Sequence, residues 1–331
     1  MISAYNKTTK TTMNNYMKWG NHIRVRRRRI KKFFRIFLIT IMLLVGLAYY
    51  FNYSSASTIV EDIRANRTAK QKQAIIQTNL TNYLKTVTKD GTASVSFYNL
   101  GGNSKSSDVD TKLYQEGSLE TESNASDVRI AASTYKLYLA AYLMNQKSNG
   151  DFDWTEENID GFSRMIINSE NDFSENQIDK YGADKLSAFN KEQGWYPEVF
   201  QSGQSAHTTS HSLQLLLQDL ESGTGAFKNS DDQTKILDMM SKQIYRNGIP
   251  TGAAEANPGT TVQDKVGFLD DTNNDAAIVT LPNGQKYILV IMTNGHNQSN
   301  LSGFPRIAEI TKNIQKIVYG SDAGTKVNNY S

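Results

Sequence analysis

Ser133-Thr134-Tyr135-Lys136 stands between Val128-Arg129-Ile130-Ala131-Ala132 and Leu137-Tyr138-Leu139-Ala140-Ala141-Tyr142-Leu143-Met144, and this stretch decides how the chain is read. The residues after Ser133 are good helix formers that stay apolar for two turns, as in a helix buried inside a domain. A serine at such a helix N-terminus sits over the positive end of the helix dipole, with its own N–H directed outward. Lys136 lies three residues on and returns to the same face, one turn below the hydroxyl. An amine held there, partly desolvated, can lose its proton near neutral pH and act as a base for the serine. The plainer alternative is that Ser133 caps the helix and Lys136 extends its ammonium to water. S-x-x-K alone does not choose between them, since on the order of one match is expected by accident in a chain this long.

Two further segments bear on the choice. Ser169-Glu170-Asn171 follows the apolar Met165-Ile166-Ile167, and Lys265-Val266-Gly267 opens a strand that continues into Phe268-Leu269. S-x-x-K, then S-x-N, then K-x-G in this order resembles the pattern of the penicillin-recognising serine enzymes, the class A β-lactamases and their penicillin-binding relatives. The resemblance covers residues 69–321. Within it, 264–292 is similar to the family's catalytic edge strand with its two following strands, and Ile249-Pro250-Thr251-Gly252 to the approach to that strand.

The resemblance implies a role for each matching position. Ser133 would be the nucleophile that attacks a carbonyl and becomes acylated, and Lys136 the base or proton relay beside it. Ser169 would pass a proton to the departing nitrogen, with Lys265 holding it electrostatically. Asn171 would bind the substrate amide. The backbone N–H groups of Ser133 and of Phe268, just after Gly267, would form the oxyanion hole, where losing one donor typically costs about 3–4 kcal/mol of barrier.

Four features depart from the family pattern. Glu170 stands where an aspartate is usual. Ser133 and Ser169 are only 36 residues apart, so a reduced helical subdomain is expected. Val266 removes the hydroxyl that helps the family grip a substrate carboxylate. Trp195-Tyr196-Pro197-Glu198-Val199-Phe200 corresponds to the E-x-x-L-N loop, with Tyr196 at the glutamate position and Phe200 at the asparagine position. Glu198 is expected to point elsewhere. Acylation is therefore expected to be easier than deacylation, and efficient penicillin hydrolysis is not expected.

Charge and hydropathy place this domain in the cell. Residues 1–60 carry eleven Lys or Arg and no acid, which leaves 25 basic against 33 acidic residues in the remainder. The basic balance belongs to the tail, so no nucleic-acid partner is expected. Arg24-Val25-Arg26-Arg27-Arg28-Arg29-Ile30-Lys31-Lys32 precedes an uncharged run of 18 residues at 36–53, long enough to span a bilayer if Arg35 snorkels. Tyr49, Tyr50, Phe51 and Tyr53 supply an aromatic belt. The positive-inside rule puts the N-terminus in the cytoplasm and the C-terminal domain outside, on a single-pass cell-membrane anchor. A cleaved signal peptide ending at Ser55-Ala56-Ser57 is the rival, less favoured because the basic and apolar runs are both long. Zero cysteines exclude disulfides and thiol catalysis and suit export by a bacterium.

The domain reading that follows is a basic cytoplasmic tail at 1–32, a signal anchor at 33–53, a linker at 54–68, the hydrolase domain at 69–321 and a C-terminal tail at 322–331. Residues 1–23 read as disordered. Helical periodicity is expected at 59–87, 155–167, 176–194, 232–246 and 307–318, and after a Thr208-Thr209-Ser210 cap. Strands are expected at 92–100, 111–115, 262–269, 276–281 and 286–293. Gly101-Gly102-Asn103 reads as a turn after the first of them, and Pro282-Asn283-Gly284 as a hairpin turn. The fold class is α+β, with an antiparallel sheet completed from both chain ends, flanked by the terminal helices, plus an all-helical subdomain.

Other candidates carry less. His207 and His211 have metal-ligand spacing on a helix, but no third ligand is apparent, so no metal or cofactor is expected. Ser174-Glu175-Asn176 duplicates the second motif, and Ser169 is favoured because it follows the apolar helix end. The function expected is an extracytoplasmic serine acyl-enzyme former acting on β-lactams or peptidoglycan stem peptides. The alternative is a catalytically weak or inactive cell-wall peptide-binding or scaffold domain, and protein partners are not indicated.

Overall fold

The computed structural model describes residues 2–102 and 108–330, with side chains described for 32–50, 58–102 and 110–330. The side chains of the basic run 24–31 and of Ser55-Ala56-Ser57 lie outside the described residues, as does part of the turn expected at Gly101-Gly102-Asn103. The chain divides into two compact units, Met1–Arg64 and Ala65–Ser331.

The first unit is helical. Helix α1 spans Ile2–Val87, so the polar stretch expected to be disordered is helical from residue 2 on, as is the stretch read as a linker. No proline occurs before residue 197 to interrupt it. Within this unit Lys32–Tyr50 is long and apolar enough to cross a membrane, and its side chains are exposed. The one hydroxyl in its middle, Thr40, donates to the Ile36 carbonyl at 2.9 Å, which satisfies it without water.

The second unit is built on a five-stranded antiparallel sheet. Its strands are β1 (Ala93–Gly101), β2 (Thr121–Ser123), β5 (Thr261–Leu269), β6 (Thr272–Thr280) and β7 (Lys286–Thr293), in the order β2-β1-β7-β6-β5. A separate two-stranded ladder joins β3 (Arg129–Ile130) to β4 (His207–Thr208). The helices are α2 (Asp108–Leu113), α3 (Tyr135–Asn149), α4 (Glu156–Ser163), α5 (Asp172–Tyr181), α6 (Ala183–Glu192), α7 (Ser210–Ser222), α8 (Ser230–Ser241), α9 (Ile249–Ala256) and α10 (Phe304–Tyr319). This is the expected α+β plan.

Alternation along β6 and β7 splits the core in two. Ala276, Ile278, Ile288, Val290 and Met292 pack under α3 and the helical block. Ala277, Val279, Tyr287, Leu289 and Ile291 pack against the end of α1 with α9 and α10. Both faces are covered, so these strands read as continuous apolar runs rather than as alternating ones. At the far end of the chain, Asn79 of α1 donates to the Lys326 carbonyl at 2.8 Å. Tyr330 meets the Tyr83 ring edge-on at 5.5 Å.

Three expectations are corrected. The strand expected at 111–115 is the end of α2 and the turn beyond it, and β2 takes its place ten residues later. Asn99 Nδ2 donates to the Tyr114 and Gln115 carbonyls at 3.2 and 2.7 Å, which holds this segment as a turn while Leu113 goes into the core. The helix expected over 176–194 is two, separated at Gly182, and the first starts earlier, at Asp172. Finally, β6 begins at Thr272, because Asn273, Asn274 and Asp275 are buried strand residues rather than loop.

Candidate active site

Ser133 lies in a 3-10 turn, Ala132–Thr134, that leads directly into α3. Two contacts fix this turn. Asn274 Nδ2, from β6, donates to the carbonyls of Ile130 and Ala131 at 2.9 and 3.0 Å. Ala132 holds a left-handed φ of 44°, a conformation that costs a non-glycine residue on the order of 1 kcal/mol and needs such support. On the other side runs β5. A Cβ on Gly267 would fall 2.8 Å from the backbone nitrogen of Ser133 and 2.9 Å from that of Thr134. Only glycine lets the strand approach the turn so closely.

Lys136 is wholly buried beneath Ser133. Its Nζ lies 3.0 Å from Ser133 Oγ and donates to the Ser169 carbonyl and to Asn171 Oδ1, both at 2.7 Å. The last two partners can only accept. A neutral amine therefore spends its two N–H bonds on them and turns its lone pair toward the Ser133 hydroxyl, the arrangement a base requires. Burial pulls the Lys136 amine down to about 8, against the opposing pull of Glu175, Asp172 and Glu170.

Ser169 follows a π-helical turn, Arg164–Asn168, and itself takes a left-handed φ of 62°. This presents its hydroxyl to β5, where Lys265 Nζ donates to Ser169 Oγ at 2.8 Å and to the Val266 carbonyl at 2.8 Å. Lys265 is also wholly buried. Burial, with the charge of Lys136 close by, depresses its amine well below the usual lysine range. The two amines and two hydroxyls thus form one floor.

Above the floor opens a cleft of about 530 Å³ whose lining includes Ser133, Asn171, Tyr135, Glu175, Phe200 and Phe268. The structure therefore brings Ser133, Lys136, Ser169, Asn171, Lys265, Gly267 and Phe268 together. Of the two Ser-Glu-Asn triplets, Ser169 faces Lys265, whereas Ser174 is buried in α5 and hydrogen-bonds the Tyr135 hydroxyl at 2.9 Å. Glu170 points away from the cleft, and Arg164 Nη1 donates to Glu170 and Asp172 at 2.8 and 2.6 Å. Hydrogen bonds from Asn168 and then Arg164 hold the Glu170 carboxyl below its usual range, and Arg164 with the Phe173 N–H does the same for Asp172.

Two sequence expectations change in meaning. Val266 is wholly buried between the sheet and the terminal helices, so its side chain belongs to the core and does not face a substrate. Phe200 lines the cleft, its ring edge-on to Tyr135 at 5.9 Å. Tyr196 instead directs its hydroxyl to the exposed Glu198 at 3.4 Å and is not part of that lining. His207 and His211 are engaged elsewhere, with the Ser205 carbonyl at 2.7 Å and Glu122 at 2.8 Å. Among the described residues no group of three His, Cys, Asp or Glu is placed to hold a metal.

Sequence reasoning missed Asn274, Arg164 and the buried Asp264 and Asp275. A polar run Thr272-Asn273-Asn274-Asp275 ahead of an apolar strand looks like a turn. Only its pairing with β5 and β7 marks it as buried.

Residues 160–319 match the model of the beta-lactamase enzyme family, a span that holds Ser169, Asn171, Lys265, Gly267 and Phe268 and begins after Ser133 and Lys136. A point mutant of PBP-A, solved as an acyl-enzyme complex with penicillin G, is 20% identical. That match covers 76% of this chain and 95% of that one, with a TM-score of 0.56. The beta-lactamase from Sphaerobacter thermophilus is 17% identical, covering 72% and 97%, with a TM-score of 0.58. The TLA-3 extended-spectrum beta-lactamase is 17% identical, covering 72% and 98%, with a TM-score of 0.56. A search of curated proteins returns no match. The chain has the β-lactamase/transpeptidase-like fold, and its structural neighbours are class A β-lactamases and PBP-A.

Proposed function

We propose that this chain is a membrane-anchored, extracytoplasmic serine hydrolase or acyl-transferase that forms an acyl-enzyme at Ser133 with β-lactams or peptidoglycan stem peptides and releases it slowly. The single observation that carries the reading is the floor of the cleft, where Lys136 Nζ lies 3.0 Å from Ser133 Oγ and Lys265 Nζ lies 2.8 Å from Ser169 Oγ. Lys136 takes the Ser133 proton as Oγ bonds to the substrate carbonyl carbon. The oxygen of that carbonyl gains negative charge, toward which the N–H groups of Ser133 and Phe268 serve as donors. When the carbon–nitrogen bond breaks, Ser169 gives its proton to the nitrogen and Lys265 replaces it. Asn171 Nδ2 binds the substrate amide.

Slow release follows from the wall rather than the floor. Phe200 is apolar where the resemblance places an asparagine, and Glu198 is exposed beside Tyr196, so neither orders a hydrolytic water. The apolar segment Lys32–Tyr50, preceded by the basic run, supports an anchor with the domain outside.

Intact-mass spectrometry of the full chain in detergent after exposure to a penicillin tests this. A Ser133-dependent mass increase is expected, absent in Ser133→Ala and persisting for minutes. Rapid turnover of a chromogenic cephalosporin, lost in Ser133→Ala, would remove the slow-release part. No adduct with any β-lactam or peptide thioester would instead support a peptide-binding or scaffold domain, the reading that buried Val266 favours because it removes a substrate contact.

A further inference from the structure

We propose that Asp264 and Asp275 hold one proton between them and act as a positioning pair, a single negative charge that sets the proton affinity of Lys265 from the far face of β5. Both carboxyls are wholly buried. The β5–β6 register pairs Asp264 with Ala277 and Val266 with Asp275. Residues 264, 275 and 277 therefore share the face turned to the terminal helices, with the two carboxyls as diagonal neighbours. Lys265, one residue on, projects to the opposite face, toward Ser169.

Each carboxyl has one oxygen satisfied. Asp264 Oδ1 receives the Arg246 guanidinium, and Asp275 Oδ2 accepts the Ile249 N–H at 2.8 Å. The remaining two oxygens, Asp264 Oδ2 and Asp275 Oδ1, are buried with no donor among the described residues. Two ionised carboxylates side by side with these oxygens unpaired would carry both mutual repulsion and an unmet desolvation cost. One proton removes both problems, because the acid on one oxygen donates to the anion on the other. Burial and the neighbouring carboxyl favour the protonated form of Asp264, and the charges acting against it are Arg246 and Lys265. On Asp275, burial again acts upward, while the Ile249 N–H and the same two cations act downward.

The charge count then bears on the cleft. The protonated pair carries one negative charge, which Arg246 offsets. Lys265 is left with less anionic support than two carboxylates would give, beside a second amine in Lys136. That makes its ammonium readier to give a proton to Ser169 as Ser169 protonates the departing nitrogen.

This inference rests on reading the cleft as an acylating one, and its tests separate the two. Aspartate labelled with 13C in the full chain in detergent should show one carboxyl still protonated at pH 6 and titrating above the ordinary carboxylate range. That signal should vanish in both Asp264→Asn and Asp275→Asn. It is read whether or not Ser133 is ever acylated, and needs only the wild-type protein for its first arm. A spectrum in which every aspartate is ionised at pH 6 overturns the proposal. In acylation kinetics each single variant keeps one charge and one hydrogen bond across the pair, so its pH profile should match the wild type within about threefold. The double variant loses the charge, and the alkaline limb of its profile should move down by about one pH unit. Single variants that move the limb as far as the double would also overturn it. A wild-type chain that forms no adduct while the 13C signal is present would count against the acylating function alone.

Discussion

Asn171 Oδ1 accepts a 2.7 Å hydrogen bond from Lys136 Nζ. The amide that the resemblance assigns to the substrate therefore has one end committed to the amine, which leaves its Nδ2 for a substrate carbonyl. On the proposed function this single contact would couple substrate binding to the orientation of the base, since Asn171 and the Ser169 carbonyl both accept from Lys136 Nζ beside Ser133. Asn171→Asp should keep the geometry but add an anion. The opposite charge at this distance stabilises the ammonium, so the pH at which acylation becomes efficient should rise by roughly one to three units. Stopped-flow acylation by a penicillin across pH 6–10 measures it, and an unchanged profile would show that Lys136 is not the titrating base.

In the unmodified chain the same profile has a definite sign. As the proposed base Lys136 would work when neutral, and burial lowers its folded-state value to about 8. Acylation should therefore climb with pH up to about 8, with loss of the Lys265 proton acting in the opposite direction. Lys136→Met should slow acylation by about 10²–10⁴-fold and abolish the rising limb. A Lys136→Met protein that keeps this limb would place the base elsewhere.

Gly267→Ala probes the approach of β5 to the turn. Its Cβ would meet the Ser133 nitrogen at 2.8 Å, so strand and turn must part beside the N–H groups of Ser133 and Phe268 that the proposed function takes as oxyanion donors. Loss of one donor's geometry predicts a fall of about 10²–10³ in the acylation rate constant, with penicillin affinity changed far less. Presteady-state kinetics separates the two parameters. An equal loss in both would mean that the substitution damages binding generally.

Val266→Thr restores the family's hydroxyl in name only. The position is 0% exposed and packed among Ile249, Val262 and Ala277, so the hydroxyl goes into the core. Burying it without a partner would lower stability by about 1–3 kcal/mol, and the loss should be smaller to the extent that Asp275, its partner on β6, accepts from it. Affinity for carboxylate-bearing β-lactams should not improve. Thermal denaturation read together with acylation kinetics decides this, and tighter penicillin binding at unchanged stability would show that the side chain reaches the cleft.

Much of this molecule was legible in the chain. The apolar periodicity of α3, α7 and α10 and the long β7 run gave the α+β plan, because burial on one or both faces is written into local residue order. Ser133, Ser169 and Lys265 were found by residue type and order before any distance was known, and the structure brings them to one floor. The misreadings arose where a partner outside the local window decides. The segment 111–115 has too few residues for its pattern to distinguish a strand from a turn, and Asn99, fifteen residues away, made the choice. Asn274 and Asp275 resemble loop residues until β5 is laid beside them.

The sequence by itself determined the long apolar helices and strands, the apolar segment near the N-terminus, and which residue types could serve as nucleophile and amines. Only the tertiary structure decided which acceptors hold the Lys136 N–H bonds, that Val266 faces the core and Phe200 the cleft, and that two carboxyls meet behind Lys265. The physical reason is one of range. Helix and strand preferences act over a few residues, whereas the direction of a side chain and the satisfaction of a buried donor or acceptor depend on strand register and on atoms that folding brings from far along the chain.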